Sequence, residues 1–504
     1  MGRPRARERK NYMLLTLQLI TMAVMFALTY LAYQTFGPPR LKLVYTEAEK
    51  AAWDDLVKQP LGTWFTITNV LGTLTSIATA YLFFIGSSKL FGWWSLLCCV
   101  TIWLGALVTN GLTRRIIRLP RVAARLGTPD LTGSILASVF WDDTVPARAT
   151  ASLIRWISLF NIGALIWLDF SLFARISTII LGLNSRWAAS GILVVTCLVI
   201  FHFTIRYGLR GFVFADLFQS PALAISTAVL FLGCLYVAAK AGLGFSLSQT
   251  ITLMTPVLPA TACVFFALHV TFLNLIQVAV TEPHWLRMWA FREKETQFQV
   301  VSLLATAALW LVLVSIGFLA YRLTGGKVGE AAIAQLLKVM LGYSPVFVVA
   351  FWCAGIAALF ASADTLIYSF LLVYDFNPSN GKLRSEIVAK LHPSLTASVA
   401  AAFFLIVYFV IDYWGLPFEK IMFVLIPFCL NAFPAFALEA FDREPRPALT
   451  VVSLILYMAC AANGFLKPES ELLWTLAASF VPVAVAFIGV AFGKRRGTWT
   501  AANV

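Results

Sequence analysis

Residues 343–377 read YSPVFVVAFWCAGIAALFASADTLIYSFLLVYDFN, and the fold is inferred first from this stretch. It is about one helix long and almost wholly apolar, with small and hydroxylated residues near its middle. Four of these residues recur at i, i+4, i+7 and i+11, which is one face of a helix: Ala358, Ser362, Thr365 and Ser369. Inside a membrane, such a narrow face lets a second helix or a dehydrated ion approach closely.

The composition of the chain predicts a membrane protein. The 504 residues are 60% hydrophobic and only 12% charged, and the mean hydropathy is +0.83, whereas soluble proteins carry about 25% charged residues. The eight cysteines lie in apolar segments and the four histidines are scattered, which indicates packing residues rather than disulfides or a zinc site. The net charge of +14 comes from basic residues in loops beside apolar spans, so topology explains it better than nucleic-acid binding.

About thirteen apolar segments are long enough to cross a bilayer, which needs about 20 residues for each helical span. They cover residues 12–36, 64–90, 91–112, 151–181, 188–206, 211–240, 252–281, 298–322, 344–375, 395–413, 419–440, 448–465 and 471–492. The Lys and Arg residues between these segments favour an N-terminus outside and a C-terminus inside the cell. The basic N-terminal tail counts against that orientation.

Two groups of five segments share an arrangement that predicts an all-α protein with a 5+5 inverted-repeat core. In each group the third segment is unusually long, at 151–181 and 344–374, and the first segment carries polar residues or prolines. Inverted-repeat transporters have this arrangement, and their interrupted helices expose backbone carbonyls at the binding site. The chain is therefore divided into residues 1–63, 64–240 (first repeat), 252–440 (second repeat) and 441–504.

Four stretches resemble motifs of the sodium/solute symporter family, in the order that the family has. They are RLPRVAARLG at 118–127, YGLRGFVFADLFQ at 207–219, RMWAFREKE at 287–295 and AALFASADT at 357–365. The last is similar to the family pattern A-A-L-M-S-T-x-D-S, while the first lacks the acidic residue of its pattern. The resemblance implies a leucine-transporter-type fold with one extra N-terminal and two extra C-terminal helices. It also implies a multi-pass plasma-membrane transporter in which a sodium gradient drives solute uptake.

The same resemblance implies a sodium site between the interrupted first core helix and the eighth. Carried over by motif, the Na⁺ ligands would be the carbonyls of Leu74, Ile77 and Ala358 and the hydroxyl of Ser362. Ala361 stands where the family has a further hydroxyl, so one side-chain ligand is missing. Coupling to protons in place of Na⁺, or no coupling, therefore stays open.

Two other interpretations of these helices also stay open. A different register of the first core helix would bring Asn69 to the site. Ser362 would be structural if its hydroxyl bonds to a carbonyl one turn earlier, as helical serines often do.

Ionisable residues inside the predicted spans need partners, because an unpaired charge in lipid is strongly unfavourable. Asp364 is expected to pair with Arg155 or Arg175, and Asp169 with either arginine. Asp169 and Asp216 could instead bind a second ion or a proton. Alternatively, one of the arginines binds an anionic substrate, since guanidinium matches the geometry of a carboxylate.

The segment 252–281 carries a polar stripe. Asn274, Gln277 and Thr281 fall at i, i+3 and i+7 of one helix face. Glu282 beside Pro283 is either a proton carrier or an ordinary charge at a loop end. The residues expected to contact substrate or coupling ion are Ser76, Asp169, Arg175, Asp216, Asn274, Gln277, Thr281, Glu282 and Thr365.

No nucleophile–base pair, P-loop or dinucleotide fingerprint is present, so the sequence predicts no enzyme. The predicted function is cation-coupled symport of a small polar or anionic solute, with lipid around the protein and no nucleic-acid partner. A proton-coupled or uncoupled carrier and a transporter-like receptor are the alternatives.

Overall fold

The computed structural model describes most of the chain from residue 60 onward and isolated positions before it. The described residues are 16, 20, 21, 23, 24, 26–31, 34, 60–76, 78–105, 116, 135–141, 144–181, 186–243, 247–290, 295–377, 382–383, 392–415, 418–466 and 471–495.

Helices make up nearly all of these residues. In the first half of the chain they are α1 (Pro60–Leu74), a π-helix (Ala78–Ser87), α2 (Ser88–Phe91), a 3₁₀-helix (Gly92–Leu96), α3 (Ile135–Phe140), α4 (Val145–Leu181) and α5 (Arg186–Lys240). The central helices are α6 (Leu247–Met254), α7 (Ala260–Val280), α8 (Glu282–Ala290), α9 (Glu295–Leu323), α10 (Gly329–Tyr343) and α11 (Pro345–Asp375). After a two-stranded hairpin, β1 (Phe376–Asn377) and β2 (Lys382–Leu383), come α12 (Pro393–Tyr413), α13 (Phe418–Leu425), a 3₁₀-helix (Ile426–Ala432), α14 (Phe433–Ala440), α15 (Pro447–Leu466), α16 (Glu471–Ala478) and α17 (Phe480–Phe492).

Eleven stretches of the described residues are long and apolar enough to cross a membrane. Ten of them coincide with one predicted segment each. The eleventh, Ala78–Gly105, covers parts of two predicted segments, 64–90 and 91–112. Gly92 ends the helix between these two segments, because its φ of 57° does not fit a continuing right-handed helix. The predicted first span, 12–36, lies largely outside the described residues.

The first core helix is interrupted where the sequence has Thr75 and Ser76. α1 ends at Leu74, both residues are non-helical, and the chain resumes at Ala78 as a π-helix. The Ser76 hydroxyl accepts a hydrogen bond from the backbone N–H of Thr79 at 3.2 Å, which caps the new helix. The Thr75 hydroxyl accepts one from the indole of Trp310 at 3.1 Å. Side chains therefore stabilise backbone that has left the helical hydrogen-bond pattern.

A second interruption separates α7 from α8 at Thr281, which is extended with φ −113° and ψ 127°. Pro283 follows in the first turn of α8, where its missing N–H is tolerated. The segment 252–281 was expected to be interrupted by its prolines as well. This break is present: α6 ends at Met254, and Pro256 and Pro259 lie in the non-helical residues 255–259 that precede α7. Thr281 is a further break at the end of the segment.

The longest helices carry the core. α11 has the 31 residues expected, and almost every side chain from Val348 to Val373 is buried. α4 extends six residues beyond the predicted N-terminal boundary. α5 has 55 residues, about 80 Å if it were straight. That length is enough for two crossings of a bilayer core about 30 Å thick.

Candidate functional site

A cavity of about 140 Å³ opens beside the first interruption. Its walls come from the interrupted helix, α4, α7, α9, α11 and the α13 region. The polar groups on the wall are Ser76, Thr79, Asp169, Asn274, Gln277 and Ser362, with His269 beside them. Most of the remaining wall is aliphatic or aromatic. A mainly apolar cavity with a few convergent polar groups is the usual form of a small-molecule site.

Asp169, on α4, is the carboxylate of this wall, and it is only 2% exposed. Its Oδ1 accepts a hydrogen bond from the backbone N–H of Ala78 at 3.1 Å. Its Oδ2 accepts one from the hydroxyl of Ser362 at 2.9 Å. Because Ala78 begins the π-helix, its N–H has no acceptor earlier in that helix. The carboxylate therefore joins three elements: α4, the interrupted helix and α11.

The expected sodium ligands are only partly brought together. Leu74 and Ser362 both line the cavity, and Ala358 is fully buried on α11. Ile77 lies outside the described residues. Ala361 faces α1 rather than the cavity, because a Cβ built on Gly72 would lie 2.8 Å from the Ala361 Cβ.

The Ser362 hydroxyl also lies 3.3 Å from the carbonyl of Leu359, one turn earlier on α11. The bond to Asp169 is shorter. Ser362 therefore faces the protein interior and the interrupted helix, where it is 1% exposed, and not the lipid.

The polar stripe on α7 is present as predicted, and two of its members line the cavity. The Asn274 amide donates to the Thr101 hydroxyl at 2.9 Å, and the Gln277 amide donates to the Asn274 carbonyl oxygen at 3.1 Å. Thr281 turns its hydroxyl to the Gln277 backbone carbonyl at 2.8 Å and does not line the cavity. Asn274 also donates to the Cys98 carbonyl at 3.3 Å, so it holds the Gln277 amide in place on the cavity wall.

The two arginines of α4 bind other groups than those predicted. Arg175 forms ion pairs with Glu330 at 3.1 Å and with Asp412 at 3.2 Å. Arg155 donates to the carbonyls of Val373 and Tyr374 near the end of α11. Asp169 instead accepts hydrogen bonds from Ala78 and Ser362, because α4 turns it toward the interrupted helix.

Asp216, Glu282 and Thr365 are buried but do not line the cavity. A Cβ on Gly72 would lie 3.1 Å from the Asp216 carboxylate, so Asp216 lies behind the interrupted helix. Glu282 accepts the backbone N–H of Leu136 at 3.0 Å, near the start of α3. Thr365 directs its hydroxyl toward the Ala361 carbonyl at 3.4 Å.

His269 is the functional candidate that sequence analysis missed. It lines the cavity, is 2% exposed, and its Nδ1 lies 2.7 Å from the hydroxyl of Ser479. Ser479 lies between the last two helices, so the C-terminal part of the chain positions this ring. The signal was available, since a histidine within an apolar span is itself uncommon.

Comparison with solved structures places this fold among membrane transporters. The chain is similar to a Na⁺-coupled sialic acid symporter in its substrate-bound outward-open state, with a TM-score of 0.63, 14% identity, and 97% of this chain and 99% of that chain covered. It is also similar to a variant of the manganese transporter of Eremococcus coleocola, with a TM-score of 0.50, 14% identity, and 85% and 95% coverage.

No protein-family model matches the chain, and no curated protein matches it in sequence. At these identities the structural likeness establishes the fold. The protein is an all-α, multi-pass membrane protein with the leucine-transporter-type fold.

Proposed function

We propose that this protein is a secondary active transporter that moves a small solute by alternating access, driven by a co-transported cation. The observation that carries the proposal is the cavity at the first interruption, where Asp169, the Ala78 N–H and Ser362 meet from three helices. Interrupted helices that face a buried cavity are how such transporters bind ions and substrates.

The solute is small and carries no net negative charge. Among the described residues that line the cavity, none is Lys or Arg. Arg155 and Arg175 bind other groups, so an anion would meet Asp169 without a compensating positive side chain. The cavity volume of about 140 Å³ is near that of an engineered cavity, about 150 Å³, that binds benzene. A neutral polar solute of that size fits better than the anionic solute considered from the sequence.

The amide pair and the aromatic wall indicate how this solute is held. Gln277 and Asn274 supply hydrogen-bonding groups on one side, and Phe83, Trp310 and Phe423 supply aromatic surface on the others. An amide edge gives orientation and aromatic faces give affinity. The solute therefore combines an apolar body with one hydrogen-bonding group.

The coupling cation is Na⁺. The orientation of the protein in the membrane follows from the distribution of Lys and Arg in its loops. The protein lies in the plasma membrane with its N-terminus outside and its C-terminus inside. Residues 64–240 and 252–440 move against each other as the two inverted repeats. Residues 1–63 and 441–504 flank this core.

Uptake by purified protein in liposomes tests the proposal. A panel of radiolabelled neutral solutes with an apolar body and a polar edge (small amides and alcohols, nucleobases and hydantoins) is offered with an inward Na⁺ gradient, an inward proton gradient or no gradient. We expect Na⁺-driven accumulation of at least one solute, and loss of it in Asn274→Ala. The matched control is Asn431→Ala, a buried asparagine whose amide donates to Phe428 away from the cavity.

The results distinguish the alternatives. Accumulation that follows the proton gradient alone would replace Na⁺ by H⁺. Exchange without accumulation would identify an uncoupled carrier. Saturable solute binding with no flux under any gradient would contradict transport and favour a receptor.

A further inference from the structure

The symporter resemblance implies a Na⁺ site whose one side-chain ligand is Ser362 on α11, and a carboxylate from α4, Asp169, lies beside that serine. At the resemblance-derived position, Ala361 has no hydroxyl and packs on Gly72. The next residue, Ser362, donates its hydroxyl hydrogen to the Asp169 carboxylate. Resting on the proposed function, we propose that Asp169 is the principal ligand of the coupling Na⁺, together with the hydroxyls of Ser362 and Ser76.

The first argument is geometric. Asp169 is a cavity-wall residue with both carboxylate oxygens oriented by specific donors, the Ala78 N–H and the Ser362 hydroxyl. The Ser76 side chain is also within hydrogen-bonding reach of the same carboxylate. Each carboxylate oxygen has more than one acceptor direction, so donors on one side leave the other side able to bind a cation. The ligands are thus held in position before the ion arrives.

The second argument is electrostatic. A carboxylate that is 2% exposed and bounded mainly by apolar side chains loses most of its hydration, which is strongly unfavourable unless an opposite charge replaces it. Hydrogen bonds from one N–H and one hydroxyl compensate part of that loss. The described wall carries no Lys or Arg. A mobile cation is therefore the partner that restores neutrality.

The third argument concerns which cation fits. Carboxylate and hydroxyl oxygens are hard ligands, which suit Na⁺ and the alkaline-earth ions better than soft metals. Within the described part of the chain, no three His, Cys, Asp or Glu side chains converge on one point. One carboxylate balances one positive charge, so the site selects a monovalent ion over Ca²⁺, Mg²⁺ or Mn²⁺, whose sites use more carboxylates.

The site also links ion binding to conformation. Asp169 is on α4, Ser362 on α11, and Ser76 and Ala78 flank the interruption of the first core helix. A Na⁺ ion bound by the side chains of Asp169, Ser362 and Ser76 ties the interrupted helix to α4 and α11. Loss of the ion leaves the interrupted helix held by fewer interactions, so occupancy shifts the balance between the two access states.

Equilibrium binding of ²²Na⁺ to purified protein in nanodiscs tests the assignment without any need for transport. The variants are Asp169→Asn, which keeps the shape and removes the charge, and Ser362→Ala. The matched control is Glu439→Gln, a buried carboxylate on α14 that is 5% exposed and outside the cavity. Thermal unfolding with NaCl replaced by choline chloride at constant ionic strength provides a second readout, because an ion that binds the folded state raises the transition temperature.

We expect saturable ²²Na⁺ binding by the wild type and by Glu439→Gln. Asp169→Asn should weaken it by about tenfold or more, and Ser362→Ala by less. If Asp169→Asn unfolds during purification, Asp169→Glu takes its place, and a displaced carboxylate should also weaken binding. Wild-type affinity in both folded Asp169 variants would overturn the assignment while leaving Na⁺ coupling intact. Absence of ²²Na⁺ binding by the wild type would overturn the sodium site, and solute uptake would still decide whether the protein is a transporter.

Discussion

Two of the helix interruptions in the described part of the chain, at residues 75–76 and at Thr281, differ in what surrounds them. At the first, between Leu74 and Ala78, a hydroxyl, a carboxylate and a backbone N–H meet on the wall of a cavity. At the second, Thr281 bonds to Gln277, and the indole of Trp285 donates to the Ala279 carbonyl at 2.7 Å. The polar groups of the second interruption are satisfied within the protein.

The difference shows that unwound backbone is not by itself a binding site. A break becomes a site when its polar groups face a cavity and leave directions open to a ligand. The first interruption meets this condition through Asp169, and the second serves as a joint between α7 and α8. Substitutions at the second should therefore change stability without changing Na⁺ affinity.

The largest effect is expected for Glu282→Ala. The change removes a buried acceptor for the Leu136 N–H and should lower the free energy of unfolding by about 2–3 kcal/mol, because a hydrogen bond to a charged group is lost. Thermal unfolding in Na⁺-free buffer measures this. Glu282→Gln keeps an oxygen that can accept this hydrogen bond, so its free energy of unfolding should fall by less. A parallel loss of ²²Na⁺ affinity would mean that the second interruption also binds the ion.

Gly72→Ala should have the next largest effect, at the first interruption. A Cβ there would lie 2.8 Å from the Cβ of Ala361, so α1 and α11 must move apart. This should lower the free energy of unfolding by about 1–3 kcal/mol. Gly191→Ala on α5 is the matched control, because its Cβ would meet nothing within 4 Å. The control should be neutral or stabilising, since alanine favours helix. Equal stability of the two variants would contradict the close packing of α1 on α11.

Trp285→Phe should lower the free energy of unfolding by about 1 kcal/mol, because the hydrogen bond from the indole to the Ala279 carbonyl is lost. The matched control is Trp187→Phe, whose ring is 79% exposed. Thermal unfolding of both variants should show a lower transition only for Trp285→Phe. A change in solute affinity without a change in stability would place Trp285 in the binding site instead.

Glu330→Gln should have the smallest effect. Its partner Arg175 and Glu330 itself are each about a quarter exposed, and ion pairs of this kind contribute at most about 1 kcal/mol. The difference from wild type should shrink as salt is raised from low to physiological concentration. A large, salt-independent loss of solute flux with unchanged stability would show that this pair controls access to the cavity.

The sequence predicted those features of the site that depend on one helix at a time. The helical period placed Ser362 on one face of α11 with other small and hydroxylated residues. The family resemblance implied an interruption of the first core helix near Leu74 and Ile77, with a register through Asn69 left open. The length of α11 was also predicted, because the proline marks where the helix begins and the end of the continuous apolar run marks where it stops.

The pairing of Asp169 with Ser362 was not predictable in the same way. The two residues are 193 positions apart, and their contact depends on the rotation of α4 against α11. A rotation of one residue, about 100°, would have turned Asp169 away. From the sequence, Asp169 was therefore assigned an arginine partner or, alternatively, a second ion or a proton, and the packing between helices places Ala78 and Ser362 beside it.

We expect the cavity beside Asp169 to open alternately to the two sides of the membrane under control of Na⁺. Leu366→Cys, on α11 one turn after Ser362, places a thiol on the cavity wall in a background where the eight native cysteines are replaced. Its labelling by a membrane-impermeant methanethiosulfonate is measured in right-side-out and inside-out vesicles, with and without Na⁺. We expect Na⁺ to increase the rate of labelling from one side of the membrane and to decrease it from the other. Labelling that Na⁺ leaves unchanged, or changes equally from both sides, would contradict this expectation.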